Sequence, residues 1–317
     1  MELRQLRYFV SVVDAGSITR ASDSLNVVQS AISHQLRLLE EELASGLLIR
    51  SGAGVSPTAA GLALYSHART ILRQVEDARS SVAYEEAHIS GSVVIGIAGS
   101  TAQLCTIPIL AAARASCPDV VLTIHEGVSD ALVAALVAGK IDMAIAYASD
   151  ATEKLETLPI ASEPLFFATT DPVAKREYAG RAGIELSEIS RWPLLVQSMP
   201  GATRAAIDRA CWRAGIKYVV AAEVNAPASM SAGVMAGLGS AVLPWVAIEM
   251  IERQEGLLVL PLSNPCVQRD VVMVLRSGTS PSRAAAFVRD LALKIVRELH
   301  APLVAAHPPA QTHDTPP

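Results

Sequence analysis

The sequence predicts an α/β protein in which a small helical module precedes a larger domain of alternating strands and helices. Residues 1–58 show three short amphipathic helical patterns followed by a Gly-rich hairpin signal. Residues 59–88 show one long helical pattern, and from residue 91 apolar strand-like runs alternate with helical ones. We therefore expect an N-terminal module over 1–58, a linker helix over 59–88, an α/β domain over 89–301 and a disordered, Pro-rich tail over 302–317.

Length and charge limit the possible classes of protein without choosing among them. A chain of 317 residues that is 51% hydrophobic is long enough for two or three domains with buried cores. The net charge is −5, and the first 58 residues carry five arginines against six acidic side chains. Because the N-terminal module is not basic, charge alone does not indicate nucleic-acid binding, and any such function must be argued from pattern.

Cysteine spacing and hydropathy favour a cytosolic protein. Cys105, Cys117, Cys211 and Cys266 are far apart with no CxxC motif. This spacing argues against a zinc or thioredoxin-like site and predicts reduced, mostly buried thiols, with a redox-sensing pair as the alternative. The start of the chain lacks the apolar core of a signal peptide. The uncharged run 229–248 is long enough for a transmembrane span, but its glycines and proline favour a helix, a turn and a buried strand.

The helical module has the order helix, tight turn, helix, hairpin. After a first helix over 3–14, Ser17 is a suitable N-cap for a second helix over 18–25, and Asn26 tolerates the left-handed backbone of a tight turn. A third helix over 29–43 has apolar residues spaced by four, three and four: Ile32, Leu36, Leu39 and Leu43. This layout is typical of a winged helix-turn-helix, which places the later helix of its pair in the major groove of DNA.

The face opposite that apolar stripe is small or hydrogen-bonding. It consists of Gln29, Ser30, Ser33, His34 and Arg37. Such side chains can donate to and accept from base edges. Arg50, beside the Gly52-Ala53-Gly54 hairpin, is placed to reach phosphate or the minor groove. The alternatives are an ordinary solvated helix face and a structural salt bridge for Arg50; the turn before this helix and the hairpin after it favour the DNA interface.

The linker helix carries a narrow apolar stripe with steps of three and four. Its members are Leu64, Ala68, Ile71, Val75, Ala78 and Val82. A long helix with one such stripe, standing between two domains, predicts coiled-coil-like pairing with a second copy of the chain. The alternative is a helix that packs on its own domain.

The region after residue 90 repeats a strand and helix rhythm, which predicts a parallel sheet with helices on its faces. Strands are predicted at 93–97, 120–125, 142–147, 165–169, 194–197, 218–224, 240–243 and 271–275, and helices at 101–115, 129–138, 203–214, 228–236 and 282–299. Residues 136–145 and 234–243 are similar at an offset of 98. This repeat indicates two lobes, lobe I at about 91–162 and 267–301 and lobe II at about 163–266, with a cleft between them.

The stretch FVSVVDAGSITRASDSLNVVQSAISHQLRLLEEEL…LLIRSGAGVSPTAAG, from Phe9 to Gly61, resembles the DNA-binding domain of LysR-type transcriptional regulators. The segments GSVVIGIAG, CPDVVLTIHEG, LVAGKIDMAIAY and VMAGLGSAVLP resemble that family's effector domain in order. The runs VVDAGS, LLIR and DMAIAY look most like the nitrogen assimilation control subgroup. The chain departs from the family at Val28 and Ser30, where many relatives have Ser or Thr and Pro; this removes an N-cap and puts the start of the recognition helix in doubt.

The resemblance implies a periplasmic-binding-protein-like effector domain with ligand-contacting loops in the cleft. Several of these loops open helices, whose free amide groups favour anions. The implied effector-binding residues are Ser100, Thr101, Ser129, Met199, Gly201, Thr203 and Asn225. The ligand would be a small molecule, with a carboxylate as the expected class. Some relatives work with no ligand, so a vestigial pocket is the alternative to an effector site.

The expected protein is a cytoplasmic DNA-binding transcriptional regulator, an activator or repressor, whose dimers assemble into a homotetramer on a partly palindromic operator. The sequence contains no GxSxG, Walker or GxGxxG motif in a suitable position and no residues at metal-ligand spacing. We therefore expect no enzymatic activity, metal site or cofactor. The alternative is a small-molecule-binding or catalytic α/β protein whose N-terminal helices only dimerise it. The polar helix face after a tight turn favours the regulator.

Overall fold

The computed structural model describes residues 1–52, 54–82, 89–149, 152–153, 155–249, 251, 256–278 and 281–306. The N-terminal module contains α1 (Leu3–Ala15), α2 (Ile18–Leu25) and α3 (Gln29–Glu42). Its core is formed by fully buried side chains from all three helices, among them Phe9, Ala21 and Ile32. The Ser17 hydroxyl accepts from the amide of Arg20, and Asn26 has a φ of 52°. The cap and the left-handed turn predicted between these helices are therefore confirmed.

A two-stranded antiparallel hairpin follows α3. It pairs β1 (Leu48–Ser51) with β2 (Gly54–Pro57). The Glu40 carboxylate accepts from the amides of Leu47 and Leu48 at 2.7 and 3.2 Å, which ties the entry of the hairpin to α3. The carbonyl of Gly16 accepts from the amide of Val55 at 3.0 Å, which ties its return strand to the turn after α1. These bonds hold the hairpin at a fixed position beside α3, as the wing of the motif.

The linker helix α4 spans Ala59–Val82 and packs first against its own domain. Ala68 is fully buried in the core of the N-terminal module, and Leu64 and Ile71 pack half-buried against the same core. For Ala68 the structure corrects the interpretation, because the core of its own module already covers that side chain. Leu64 and Ile71 are only half-buried, so their pairing with a second copy stays a prediction. Val75 is half-buried and Ala78 is exposed, whereas the side chain of Val82 lies outside the described residues.

Lobe I is a mixed sheet covered by helices. Its strands lie in the order β4 (Val120–Gly127), β3 (Gly91–Ala98), β5 (Met143–Tyr147), β12 (Gln268–Leu275) and the first part of β6 (Glu156–Thr169). The helices α5 (Gly99–Ser116), α6 (Ser129–Val137) and α11 (Arg283–Ala306) pack on it. The buried apolar residues of these elements form one continuous core.

Lobe II continues along the second part of β6, which pairs with β10 (Ser240–Pro244) and β11 (Leu258–Ser263). Beyond β10 lie β8 (Leu194–Val196) and β9 (Val220–Glu223), and β7 (Ile184–Glu185) pairs with β11. The helices are α7 (Pro172–Glu177), a 3₁₀ helix (Leu186–Arg191), α8 (Ala202–Ala214), α9 (Pro227–Met235) and α10 (Trp245–Glu249). Two apolar clusters bury the two faces of this sheet. The lobes are therefore joined through the neighbouring strands β6 and β12.

Four predictions about the region after residue 90 need correction. The sheet is mixed, because β6 and β12 run antiparallel to their neighbours although β4, β3 and β5 are parallel to one another. Strand β6 begins at Glu156, nine residues before its predicted start, and β11 was not predicted. Helix α11 continues through Pro302 to Ala306, where alanine and leucine are strong helix formers, so residues 302–306 are helical rather than part of a disordered tail. Residues 307–317 lie outside the described residues.

None of the helices in the described part of the chain is long and apolar enough to cross a membrane.

Candidate functional site

The first half of α3 presents the polar face that the sequence predicts. Gln29, Ser30, His34 and Arg37 are exposed and Ser33 is half-buried, while Ile32, Leu36 and Leu39 face the core. The helix starts at Gln29 although its N-cap, Val28, supplies no side-chain hydrogen bond. The expected start is thus kept without the cap, because the packing of Ile32 and Leu36 holds the first turns in place.

Arg37 is held along the helix surface by two neighbours. Its guanidinium donates to Glu41 at 2.8 Å and lies 3.1 Å from Nδ1 of His34. The side chains of Arg37 and Glu41 are 60% and 55% exposed, and such surface pairs contribute only about 0–1 kcal/mol. Exchanging Glu41 for a DNA partner is therefore energetically inexpensive. Arg50 lies exposed on β1, paired in register with Val55, on the same hairpin that the Glu40 contacts fix beside α3.

A cavity of about 400 Å³ lies between the lobes. Four of the predicted effector residues line it: Ser129, Met199, Gly201 and Asn225. The lining also includes Gln197 and Ser149, whose buried Oε1 and Oγ atoms have no hydrogen-bond partner among the described residues. Unpaired polar atoms in a cavity favour a ligand with complementary hydrogen-bonding groups.

The other three predicted effector residues lie beside the cavity and make internal contacts. Ser100, Thr101 and Thr203 are buried and do not belong to the described lining. The hydroxyls of Ser100 and Thr101 lie 3.2 and 3.1 Å from the hydroxyl of Tyr147. Thr203 accepts from Arg269 at 2.9 Å. For these three residues the sequence places the loop correctly but not the direction of the side chain.

A buried charged group lies beside this cavity and was not predicted from the sequence; there Arg269 stacks on the lining residue Tyr147. Glu163, Arg269 and His300 are all buried, and Glu163 accepts from both of the other side chains. Burial by itself raises the pKa of Glu163, but the charge of Arg269 and the hydrogen bond from His300 outweigh it and leave that pKa at about 2. A signal was present in the sequence, since Glu163 and Arg269 each stand beside a strongly apolar strand run.

Two family models match consecutive parts of the chain. A bacterial regulatory helix-turn-helix model of the lysR family matches residues 3–62, and a LysR substrate-binding-domain model matches residues 86–295. The chain belongs to the LysR family. It is a LysR-type transcriptional regulator with a DNA-binding helix-turn-helix domain and an effector-binding domain, and not an enzyme.

The relatives agree with this assignment over nearly the full length. The nitrogen assimilation regulatory protein of Klebsiella aerogenes is 32% identical over 297 residues, which cover 93% of this chain and 95% of the relative. The DNA-binding transcriptional dual regulator OxyR of Escherichia coli is 28% identical over 284 residues, covering 90% and 92% of the two chains.

Among solved structures, full-length CbnR in complex with its target DNA has a TM-score of 0.66 at 23% identity, covering 94% of this chain and 100% of CbnR. A full-length OxyR variant from Pseudomonas aeruginosa has a TM-score of 0.71 at 21% identity, covering 94% and 95%. At these identities the likeness concerns the fold.

No group of three or more His, Cys, Asp or Glu side chains that could hold a metal ion was found among the described residues. LysR-type regulators bind DNA and small-molecule effectors and form oligomers, so the DNA face of α3 and the interlobe cavity are the two sites to assign.

Proposed function

We propose that α3 is the recognition helix of this regulator and that Gln29, Ser30, Ser33, His34 and Arg37 enter the major groove. The observation that carries this proposal is the division of α3 into a buried apolar face and an exposed face that is free of acidic residues until its last turns. A well-formed bidentate contact to a base contributes about 1–3 kcal/mol of discrimination. Arg50 contacts the sugar-phosphate backbone from the wing.

We propose that two copies of this module act together on a partly palindromic operator. One module has a small reading surface and no net positive charge, so a single copy gives weak binding. Two linked modules gain affinity because the second contact forms within the same complex. The part of α4 beyond its own domain, at Val75 and Ala78, supplies the contact between copies, and pairing of such dimers gives the homotetramer. We place this activity in the cytoplasm, with the DNA.

A small molecule in the interlobe cavity is the proposed effector, in contact with Ser129, Met199, Gly201 and Asn225. The charges argue against the carboxylate that helix N-termini alone suggest. The lining residues described include Glu126 and Asp130 and no lysine or arginine, and much of the rest is apolar. An uncharged or cationic ligand with an apolar body fits these groups better. Butyrate, butyramide and butylamine form a matched probe set for thermal-shift measurements. Stabilisation by butyrate alone would contradict this proposal and support a carboxylate as the effector.

The DNA proposal is tested by selecting binding sequences from a pool of random duplexes with the full-length protein. We expect enrichment of two related half-sites, separated centre to centre by one helical turn or a multiple of it. Arg37→Glu should then weaken binding to the selected sequence at least tenfold. Arg114→Glu makes the same charge change at an exposed position of α5 and serves as the control. Equal affinities of the two variants would remove α3 from the interface, and a pool without enrichment would refute sequence-specific binding.

A further inference from the structure

Arg269 lies where the chain passes between the two lobes. It is in β12, directly opposite Glu163 in the neighbouring strand β6, and these are the two strands that join the lobes. The side chains of Arg269 and Glu163 are only 6% and 7% exposed. A buried charge is costly unless it is paired and hydrogen-bonded, so the surroundings of this guanidinium have to satisfy it almost completely.

The guanidinium of Arg269 bonds to both lobes at once. One terminal nitrogen donates to the hydroxyl of Ser100, at the start of α5 in lobe I, over 2.6 Å. The other donates to the hydroxyl of Thr203, at the start of α8 in lobe II, over 2.9 Å. Its central carbon stacks 3.8 Å from the ring centroid of Tyr147, which ends strand β5 of lobe I. The same side chain thus contacts the first turn of a helix in each lobe.

Glu163 and His300 fix the position of this guanidinium. Glu163 accepts from Nε of Arg269 at 2.8 Å through one oxygen, and its other oxygen lies 2.7 Å from Nε2 of His300. The opposite ring nitrogen of His300 lies 2.8 Å from the carbonyl of Val296, one turn earlier in α11. Helix α11 therefore orients Glu163, and Glu163 orients Arg269. The arrangement leaves Arg269 little freedom to swing away from the two hydroxyls.

We propose that Arg269 is an internal clasp that holds the two lobes together in the absence of a bound small molecule. In a two-lobed domain, a ligand stabilises closure by bonding to groups on both sides of the cleft. Here a side chain of the chain itself makes those bonds, at the hydroxyls of Ser100 and Thr203. The clasp lies next to the cavity proposed for the effector, so a ligand there binds lobes that are already closed. For its regulatory meaning the inference rests on the proposed function; the closure itself does not depend on DNA or effector.

We call the hydroxyls of Ser100 and Thr203 the arms of the clasp. Each can be removed while the ion pair between Arg269 and Glu163 is kept. Thr203→Val and Ser100→Ala each delete one hydroxyl that receives a hydrogen bond from Arg269. Thr101→Val is the matched control, because the hydroxyl of Thr101 contacts Tyr147 within lobe I and bridges no cleft. Loss of a hydrogen bond to a charged group should shift the ratio of closed to open lobes roughly tenfold or more.

Lobe separation is measured in the full-length protein with spin labels at Ser116 in lobe I and Ala179 in lobe II, both exposed. Cys266 is replaced by Ser to avoid labelling; the other cysteines are buried. Mixing with excess unlabelled protein suppresses distances between subunits. We expect one narrow distance for the parent protein and the Thr101→Val variant, and a second, longer distance for Thr203→Val and Ser100→Ala.

The result that overturns the clasp is an unchanged, narrow distance in both arm variants, with circular dichroism showing that they are folded. A broad distribution in the unliganded parent protein would overturn it as well. Guanidinium rescue provides an independent measurement. Arg269→Ala should regain the narrow distance in millimolar guanidinium chloride but not in equal sodium chloride, and identical effects of the two salts would contradict the proposed role. Failure of the DNA selection described above would leave all of these outcomes intact, so the two proposals fail separately.

Discussion

The side-chain hydroxyl of Thr70 in the linker helix α4 donates to the carbonyl oxygen of Gly139, at the C-terminal end of α6, over 3.0 Å. The other end of α6 carries Ser129, which lines the interlobe cavity. One short helix therefore connects the cavity to the helix that leads to the DNA-binding module.

The first prediction concerns the tight approach at Gly139. Its φ is +69°, and a Cβ would lie 2.8 Å from Cγ2 of Thr70. Gly237 has φ +71° at the matching position of the internal repeat, with nothing within 4 Å. Alanine at either site should lower the unfolding free energy by about 1–2 kcal/mol, because a side chain is strained in the left-handed backbone conformation. Gly139→Ala should cost about 1–3 kcal/mol more and speed hydrogen exchange in α4. Equal unfolding free energies for the two variants would show that the Thr70 contact contributes nothing.

A second prediction concerns the wing. A Cβ on Gly54 would lie 2.7 Å from the carbonyl oxygen of Gly16, and Gly54 has φ +127°. Gly54→Ala should therefore displace the hairpin, destabilise the N-terminal module by about 1–3 kcal/mol and weaken DNA binding. Gly52→Ala, two residues away with open space around it, should change stability by less than about 0.5 kcal/mol. Thermal melts and binding isotherms on the selected operator measure both, and a well-tolerated Gly54→Ala would contradict the described wing contact.

The third prediction separates folding from dimerisation along α4. Ala68→Asp places a charge in the core of the module and should cost about 3–5 kcal/mol of stability, whatever the oligomeric state. Val75→Asp should leave the module folded but weaken the dimer at least tenfold. Gln74→Asp, at an exposed neighbouring position, is the control. Light scattering against protein concentration, with a parallel melt, measures both quantities. Intact dimers of folded Val75→Asp would place the contact between copies elsewhere.

A fourth prediction follows from the low pKa of Glu163. Because Arg269 and His300 lower that pKa to about 2, below the ordinary value of 4.5, ionised Glu163 stabilises the folded state above the ordinary value. This contribution should be lost as the pH falls from about 4.5 through about 2. Glu163→Gln should flatten the pH dependence of the unfolding free energy in this window. At pH 7 it should lower the unfolding free energy by about 3–5 kcal/mol, because Arg269 is left unpaired. Glu298→Gln, on the exposed face of α11, should leave the acid profile unchanged. A retained slope in Glu163→Gln would refute this assignment.

The fifth prediction concerns the thiols. Burial raises the pKa of Cys105 to about 12 and that of Cys211 to about 11, so neither forms a thiolate readily at neutral pH. Cys105, Cys117 and Cys211 are buried thiols, whereas Cys266 is only partly buried. We expect iodoacetamide to modify Cys266 at least tenfold faster than the others, as read by peptide mass spectrometry. We also expect millimolar peroxide to leave DNA affinity unchanged in Cys266→Ser. A disulfide between any two of the buried cysteines would instead support the redox-sensing alternative.

Local chemistry made much of the N-terminal module predictable. The Ser17 cap, the left-handed turn at Asn26 and the apolar stripe of Ile32, Leu36 and Leu39 each depend on residues within a few positions of one another. The exposed polar face of α3 follows directly, because the position of an apolar stripe fixes which side chains point away from the core. The parallel strand and helix units were predictable for the same reason.

Only the tertiary structure decided the contacts between residues that lie far apart in the chain. Glu163 and Arg269 are separated by 106 positions, and Ser100 and Arg269 by 169. No local period encodes those pairings, so hydroxyls expected to meet a ligand were found bonded to Arg269 and Tyr147. The same applies to Ala68, whose place in a regular stripe could not reveal that α1 of its own chain covers it. The sequence by itself determined a LysR-type architecture and its DNA-reading face through short-range periodicity and capping. Long-range strand pairing decided how the cleft is filled, because it alone brings a buried guanidinium between the lobes.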